Sequence, residues 1–492
     1  MTKLDGLYKI ILIFPLLGVL SACSTNQATG RNQFTGLMPA SQEAAIGAQE
    51  HTKIMAQFGG EVEDKALRDY VTRIGNKIVP FTERQDVNYT FTLLDSPIVN
   101  AFALPGGYVY LTRGILTLAN NEAEMAAVIA HEIGHITARH SAERYSTSIL
   151  TSIGASIASV AINIDGASQA LGLGSELYLK SYSRSQEHEA DDLGIRYLAR
   201  AGYNPEAMAN FLQSLDEYIK LDAAERGRTG NRVPNYLSTH PVTSERIARS
   251  RNAAAQYTEG ANITNRIDYL KAINGMIVGD SPAQGFVYDN HFVHPELGFK
   301  FSLPANYTTE NSPETFIAKS KSRTGGAIIL SSGKKQASES IDDFLRLRIL
   351  KGDMSNARDF GTNTVNGIKT ASVERSGSVN NMKANIRTVA FEWSPTTVFI
   401  LTLAMPEMIN QAEVKAMQQS AFSFKRMSTA DKRKYRPKRI SFRVAQTGDT
   451  VAQMAQQFPY DDNLNERRFR VIKGMEPYEQ LRARQAYKII TQ

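Results

Sequence analysis

Cysteine is almost missing from this chain: Cys23 is the single one in 492 residues, so no intrachain disulfide can form. No G-x-S-x-G elbow occupies a strand-to-helix setting and no phosphate-cradling P-loop is present, which removes serine-hydrolase and P-loop nucleotide chemistry. No nucleic-acid-binding motif is present either, and a secreted chain has little use for one. Long apolar runs are missing after residue 20. The Ser, Ala, Gly and Ile-rich stretch from Ser146 to Leu173 is interrupted by Asn163, Asp165 and Gln169, which excludes a membrane span and suggests a loosely packed helical hairpin or an active-site lid. A formal charge of +7 permits binding to acidic surfaces without requiring it.

What is there begins at the N-terminus. Lys3 and Lys9 precede an apolar run from Ile10 to Leu20, too short for a stable span and suited to a secretory signal. The run ends in Leu20-Ser21-Ala22-Cys23, which resembles a bacterial lipobox and implies cleavage before Cys23 and lipidation of its thiol. The alternative is a free cysteine in an uncleaved signal anchor. Ser24, where an aspartate would favour inner-membrane retention, points to the periplasmic face of the outer membrane. Residues 24–34, rich in Ser, Thr, Asn, Gln and Gly, read as a solvated tether.

The densest chemical signal is His131-Glu132-Ile133-Gly134-His135. On a helix it sets two imidazoles one turn apart on one face, with a carboxylate between them. Asn120 and Asn121 offer N-caps, Glu122 and Glu124 occupy the first turn, and Met125, Val128, Ile129, Ile133 and Ile136 form an apolar stripe beside the histidines. Catalytic zinc takes three protein ligands and leaves one position open, so a third ligand should lie farther on. Glu187 is the candidate, in a second helix where Asp191 shares its face one turn later. Asp191 can accept a hydrogen bond from a ligand histidine or pair with an arginine. Zinc would bring a water toward neutrality in pKa, with Glu132 taking its proton and returning it to the leaving amine. Arg246 is a weaker candidate for oxyanion stabilisation, by its place after His240-Pro241.

The pair HEIGH and EHEAD, with the block Asn100-Ala101-Phe102-Ala103-Leu104-Pro105-Gly106-Gly107-Tyr108-Val109-Tyr110-Leu111-Thr112-Arg113-Gly114 before them, resembles the gluzincin zinc metallopeptidases of the CAAX-prenyl endopeptidase and HtpX group. The BepA-like periplasmic and outer-membrane assembly proteases are the most similar subgroup, over roughly residues 35–275. Read from the residues, the block is extended chain broken by a Pro-Gly-Gly turn, either an edge for a peptide substrate or an ordinary hairpin. The resemblance implies that Leu237-Ser238-Thr239-His240-Pro241 brings a further histidine to the zinc, where a fourth protein ligand would leave the site latent until the loop moves. The alternative is a histidine packed before the helix that starts near Thr243. His140, read as half a turn round the zinc helix, and His188, His51, His291 and His294 are assigned packing or surface roles.

The expected fold is multidomain α+β: a mainly helical zincin peptidase domain with a small sheet, an α+β middle domain, and a small βααβ domain. The boundaries are a signal at 1–22, a lipidated tether at 23–34, the peptidase at 35–275, the middle domain at 285–427, a basic linker at 428–440 and the last module at 441–492. Helices are expected over Ser41 to Phe58, Glu63 to Ile78, around each motif, Pro205 to Leu221 and Ser244 to Tyr257. The middle domain should hold strands at Phe299 to Leu303, Ala327 to Leu330 and Val398 to Leu403, with helices at Ser340 to Lys351 and Asn410 to Ala421. The final module resembles LysM, which often binds peptidoglycan glycan, but has Lys473-Gly474 where asparagine commonly precedes the glycine. Two function classes follow. One is a lipid-anchored zinc endopeptidase acting on unfolded or misassembled envelope proteins. The other is a largely latent assembly or binding factor for outer-membrane proteins or peptidoglycan.

Overall fold

The computed structural model describes residues 23–162, 180–225, 239–257, 260–379, 382–460, 463–476 and 478–492. The expected signal at 1–22 and residues 163–173 of the hairpin-or-lid stretch lie outside them. The chain divides into two compact units, one of residues 1–56, 60–278 and 439–491, the other of residues 57–59, 279–438 and 492.

The first unit opens with a hairpin, not a tether. Strands β1 (Cys23–Thr25) and β2 (Asn32–Phe34) pair antiparallel with Cys23 opposite Phe34. The residues that composition assigns to solvent build the turn: Asn26 Oδ1 accepts from the backbone N–H of Ala28 and Thr29, and Gly30 takes a left-handed φ of 70°. Helices α1 (Ala40–Gln57) and α2 (Lys65–Ile78) follow, α2 capped by Asp64. A three-stranded sheet holds β3 (Thr90–Leu94), β4 (Ala101–Leu104) and β5 (Tyr108–Thr112) in the order β3-β5-β4, with β5 parallel to β3 and antiparallel to β4. The β4–β5 turn needs glycine, because a Cβ on Gly106, at φ 80°, would stand 2.6 Å from Ala44 Cα.

Among the described residues, the α-helices that follow are α3 (Arg113–Leu118), α4 (Glu122–Thr137), α5 (His140–Ile162), α6 (Arg184–Arg200), α7 (Ala207–Glu225), α8 (Ser244–Ala254) and α9 (Arg266–Ala272). Residues 146–162 therefore extend α5. No helix among the described residues is long and apolar enough to cross a membrane.

The C-terminal module has the expected element order, β7 (Lys438–Val444), α10 (Val451–Ala455), α11 (Asn465–Lys473) and β8 (Ala486–Thr491), but it is not a separate domain. Its strands join β6 (Ile277–Val278) in one sheet of order β8-β7-β6. Ile440, Met454, Phe469, Ile472 and Tyr487 share a continuous core with Val128, Ile129 and Ile133 of α4. Each such side chain contributes roughly 1.5–3 kcal/mol when fully buried, so the module completes the core of the first unit. Lys488 adds a polar lock: its ammonium donates to the carbonyls of Thr117, Leu118 and Ala119 at 2.7, 3.2 and 2.6 Å, where α3 ends with unsatisfied acceptors. The basic segment 428–440 is structured as well, with a helix at Thr429–Lys434 capped by Ser428 before β7 begins.

The second unit is richer in sheet than the sequence suggested. Seven antiparallel strands run in the order 307–311, 316–320, 327–334, 397–406, 382–394, 368–379 and 357–365, and a four-stranded sheet is built from 425–426, 299–302, 291–294 and 286–288. Phe292, Phe299, Phe301, Phe316, Phe391, Phe399 and Phe424 fill its main core, and Gln411–Phe422 is the expected second helix. The expected first helix is only Ile341–Asp343, after which Phe344–Ile349 widens into π-type turns.

Candidate metal centre

Helix α4 starts where expected, with the Asn121 side chain accepting from the Glu124 N–H at 2.9 Å. Its environment is more enclosed than an amphipathic stripe implies: every residue from Glu122 to Thr137 is buried. Glu122 is accommodated by the hydroxyls of Tyr70 and Tyr203 and the amide of Asn265, at 2.8, 2.7 and 2.9 Å.

Helix α6 begins in a capping box, Ser183 Oγ accepting from the Gln186 N–H and Gln186 Oε1 from the Ser183 N–H. It crosses α4 closely because glycine lies on both sides. A Cβ on Gly134 would stand 2.8 Å from the Ala190 carbonyl oxygen, and one on Gly194 3.1 Å from His131 N. That approach carries Glu187 to the two histidines.

His131, His135, Glu187 and His240 each offer a ligand atom, all within 4.8 Å of one another, and all four side chains are buried. His131 Nε2 is 3.1 Å from His135 Nε2 and 3.3 Å from His240 Nδ1. Glu187 oxygens lie 3.5 Å from His131 Nε2, 3.5 Å from His135 Nε2 and 2.9 Å from His240 Nδ1. A tetrahedron with bonds of about 2.0–2.1 Å has edges near 3.3 Å, so these separations and the three-nitrogen, one-oxygen donor set fit zinc.

Behind the ligands the charges are paired. Asp191 Oδ1 is 2.8 Å from His131 Nδ1, as expected of a supporting carboxylate. Arg246, expected to serve an oxyanion, is committed elsewhere: Nε and Nη2 donate to the two Asp191 oxygens at 2.6 and 2.8 Å, Nη1 is 2.6 Å from Glu187 Oε2 and also donates to the Pro241 carbonyl. Thr243 caps α8 and sets Arg246 in the first turn, facing α6. Burial alone would raise both carboxyls, yet His240 and Arg246 hold Glu187 well below its ordinary value and Arg246 holds Asp191 below its own. His131 is pushed up to about 9 because Asp191 and Glu187 outweigh the burial that opposes its charge. Burial drives His135 the other way, well below the ordinary imidazole value.

Glu132 is fully buried, neither carboxylate oxygen accepts a hydrogen bond, and His240 Nε2 stands 3.5 Å from Oε1. Burial raises its carboxyl above the usual range. A buried carboxylate without a hydrogen-bond partner, beside the ligand cluster, is positioned to exchange a proton with a bound molecule.

His140 does not lie half a turn round the ligand helix, as its spacing predicts. Helix α4 ends at Thr137, Arg139 turns the chain with a left-handed φ of 56°, and His140 begins α5. Arg139 is held in that conformation by Glu43 Oε1 at 2.7 Å and the Met38 carbonyl at 2.7 Å. His140 Nδ1 consequently lies 2.8 Å from His135 Nδ1, and its Nε2 2.8 Å from Glu189 Oε2. Tyr182, also unanticipated, stacks on His135 at 3.9 Å between centroids. No glycine or proline marks the break at Arg139, so the chain pattern carries no sign of it. His51 takes a packing role, with Nδ1 2.7 Å from the Tyr110 hydroxyl.

The sequence profile described as peptidase family M48 matches residues 65–254. The beta-barrel assembly-enhancing protease of Yersinia pestis is 32% identical over 241 residues, 47% of this chain and 47% of that protein. The protein of the same name from Escherichia coli K12 is 33% identical over 207 residues, 40% of each chain. A mitochondrial metalloendopeptidase of Schizosaccharomyces pombe is 30% identical over 213 residues, 42% of this chain and 59% of that one. The chain thus spans less than half the length of these bacterial relatives. The matched stretch contains all four clustered side chains, and residues 65–254 of this chain belong to peptidase family M48.

Proposed function

We propose that this chain is a zinc-dependent endopeptidase of the bacterial cell envelope, carried by lipidated Cys23 on the periplasmic face of the outer membrane and acting on unfolded or misassembled envelope proteins. The carrying observation is the convergence of His131, His135, Glu187 and His240 on one point beside the buried Glu132 carboxylate, whose oxygens accept no hydrogen bond. The bacterial relatives' name, beta-barrel assembly-enhancing protease, supports substrates or partners in outer-membrane protein assembly.

Zinc, when bound, supplies Lewis-acid activation of water and of the scissile carbonyl. His131, His135 and Glu187 would hold it. Glu132 takes a proton from the attacking water and delivers it to the leaving amine, its buried setting favouring the protonated form between the two transfers. Asp191 orients His131 through Nδ1, and Arg246 keeps Asp191 and Glu187 charged and in place. The β4 strand supports an extended substrate pairing alongside the sheet.

A second reading rests on His240. With Nδ1 at 2.9 Å from Glu187 and 3.3 Å from His131, it is placed to fill the position a substrate water needs, which describes a latent enzyme opened by movement of His240. We assign the C-terminal module to completing the peptidase core in preference to glycan capture, because its apolar residues are spent there. Glu132→Gln is the test. It should retain zinc while cleavage of an unfolded model substrate falls by on the order of a hundredfold or more. Cleavage at the parent rate would refute the enzymatic assignment.

A further inference from the structure

We infer that Arg31, in the N-terminal hairpin, is a positioning residue for the metal ligand His135 and acts on it through Glu189 and His140. The inference rests on the metal-centre reading above.

If His135 offers the Nε2 lone pair to a metal, its ring proton must sit on Nδ1. The atom 2.8 Å away is His140 Nδ1, which must then accept, so the His140 proton sits on Nε2. That nitrogen is 2.8 Å from Glu189 Oε2, a carboxylate that can only accept. The acceptor at the far end therefore fixes both tautomers in the one arrangement that leaves His135 Nε2 free for a metal. Glu189 also receives Arg31 Nε, at 3.3 and 3.4 Å, while Arg31 Nη1 and Nη2 grip Glu143 of α5 at 2.7 Å each. Glu143 in turn accepts from Gln186 of the α6 capping box at 2.9 Å. One guanidinium thus ties together the helices that carry His140 and Glu189.

The other ligand histidine is supported by the same logic in a shorter form. His131 reaches Asp191 directly, and Asp191 is gripped by Arg246. Each histidine therefore ends in a carboxylate held by an arginine. The two arms differ in position: the Arg246 side chain is 2% exposed, the Arg31 side chain 37%. The outer arm belongs to the hairpin that begins at Cys23. The hairpin grips the site a second time, since Asn26 Nδ2 donates to the Thr137 carbonyl at 3.0 Å, at the end of α4 between His135 and His140. The segment next to the proposed lipid anchor is thereby part of the support of the metal site.

The test measures zinc affinity of the purified full chain by chelator competition, with Co(II) absorption as a second readout. Arg31→Met and His140→Phe should each weaken zinc binding by roughly 10- to 100-fold, as loss of an outer partner of a ligand histidine does. Arg31→Lys, which keeps a cation beside Glu189, should recover part of the loss. Because both residues act along one path, the double variant should bind about as weakly as His140→Phe alone. The Co(II) bands should shift in His140→Phe. Parent-like zinc affinity in Arg31→Met overturns the inference, whether or not its melting temperature falls, as do losses that multiply in the double variant. A parent protein that takes up no zinc overturns the metal-centre reading, and this inference with it.

Discussion

Gly134→Ala probes the helix crossing on which the site depends. The added Cβ would lie 2.8 Å from the Ala190 carbonyl oxygen, 3.1 Å from its Cα and 3.4 Å from its carbonyl carbon. Ordinary contacts between such atoms begin near 3.5 Å, so α4 and α6 must separate by about 0.7 Å. Neither helix can relieve the contact by a rotamer change, because the obstructing atoms are backbone. Two effects compete. Alanine gains about 1 kcal/mol over glycine inside a helix, while overpacking a buried contact costs about 1–3 kcal/mol. With both helices buried the clash should dominate, leaving a net loss of up to about 2 kcal/mol. The same separation moves Glu187, three positions before Ala190, away from the histidines that flank Gly134. A metal site tolerates only about 0.2 Å in its ligand distances, so zinc affinity should fall on the order of tenfold or more. Calorimetry of the metal-free protein and chelator competition read the two effects separately. A variant stabilised by about 1 kcal/mol with parent zinc affinity would refute the crossing argument.

Two further perturbations address the ligands. If His240 competes for the substrate position with a bias of about 1–3 kcal/mol, His240→Ala should raise kcat/KM on an unfolded substrate by roughly 5- to 150-fold; a fall in rate would make His240 a contributor to catalysis instead. Metal-free His131 is pushed up to about 9 from an ordinary 6.5, so its stabilising contribution is complete below about pH 6.5 and is lost as pH rises through 9. Zinc needs the neutral ring, so binding at pH 7.5 should release about one proton and apparent affinity should climb about tenfold per pH unit until about pH 9; calorimetry in buffers of different ionisation enthalpy, showing no proton release, would contradict this.

The site was legible where local geometry decides it. Spacing by one helical turn puts His131 with His135 and Glu187 with Asp191, and the cap at Asn121 opens the first of the two helices. It was opaque where distant segments meet. Arg139 leaves the helix at a non-glycine residue whose strain is held by Glu43 and Met38, far back in the chain, so His140 looked like a residue on the wrong face. The polar hairpin around Arg31 has the composition of a linker, yet the Asn26 side chain and the left-handed backbone of Gly30 build its turn and the Arg31 side chain is consumed in ion pairs. The C-terminal module showed its own βααβ pattern, but periodicity does not say which core an apolar face will join. Lys488 illustrates the point: no feature of its strand's pattern marks it as a buried clamp on three carbonyls.

The central claim is one zinc ion held by His131, His135 and Glu187, with His240 beside them. Zinc content and X-ray absorption of the purified protein test this directly, with Glu187→Ala alongside. The expected result is one zinc per chain in a nitrogen- and oxygen-only shell with distances near 2.0–2.1 Å, and near-complete loss in the variant. A parent without zinc, or a variant that keeps it in an unchanged shell, would contradict the account.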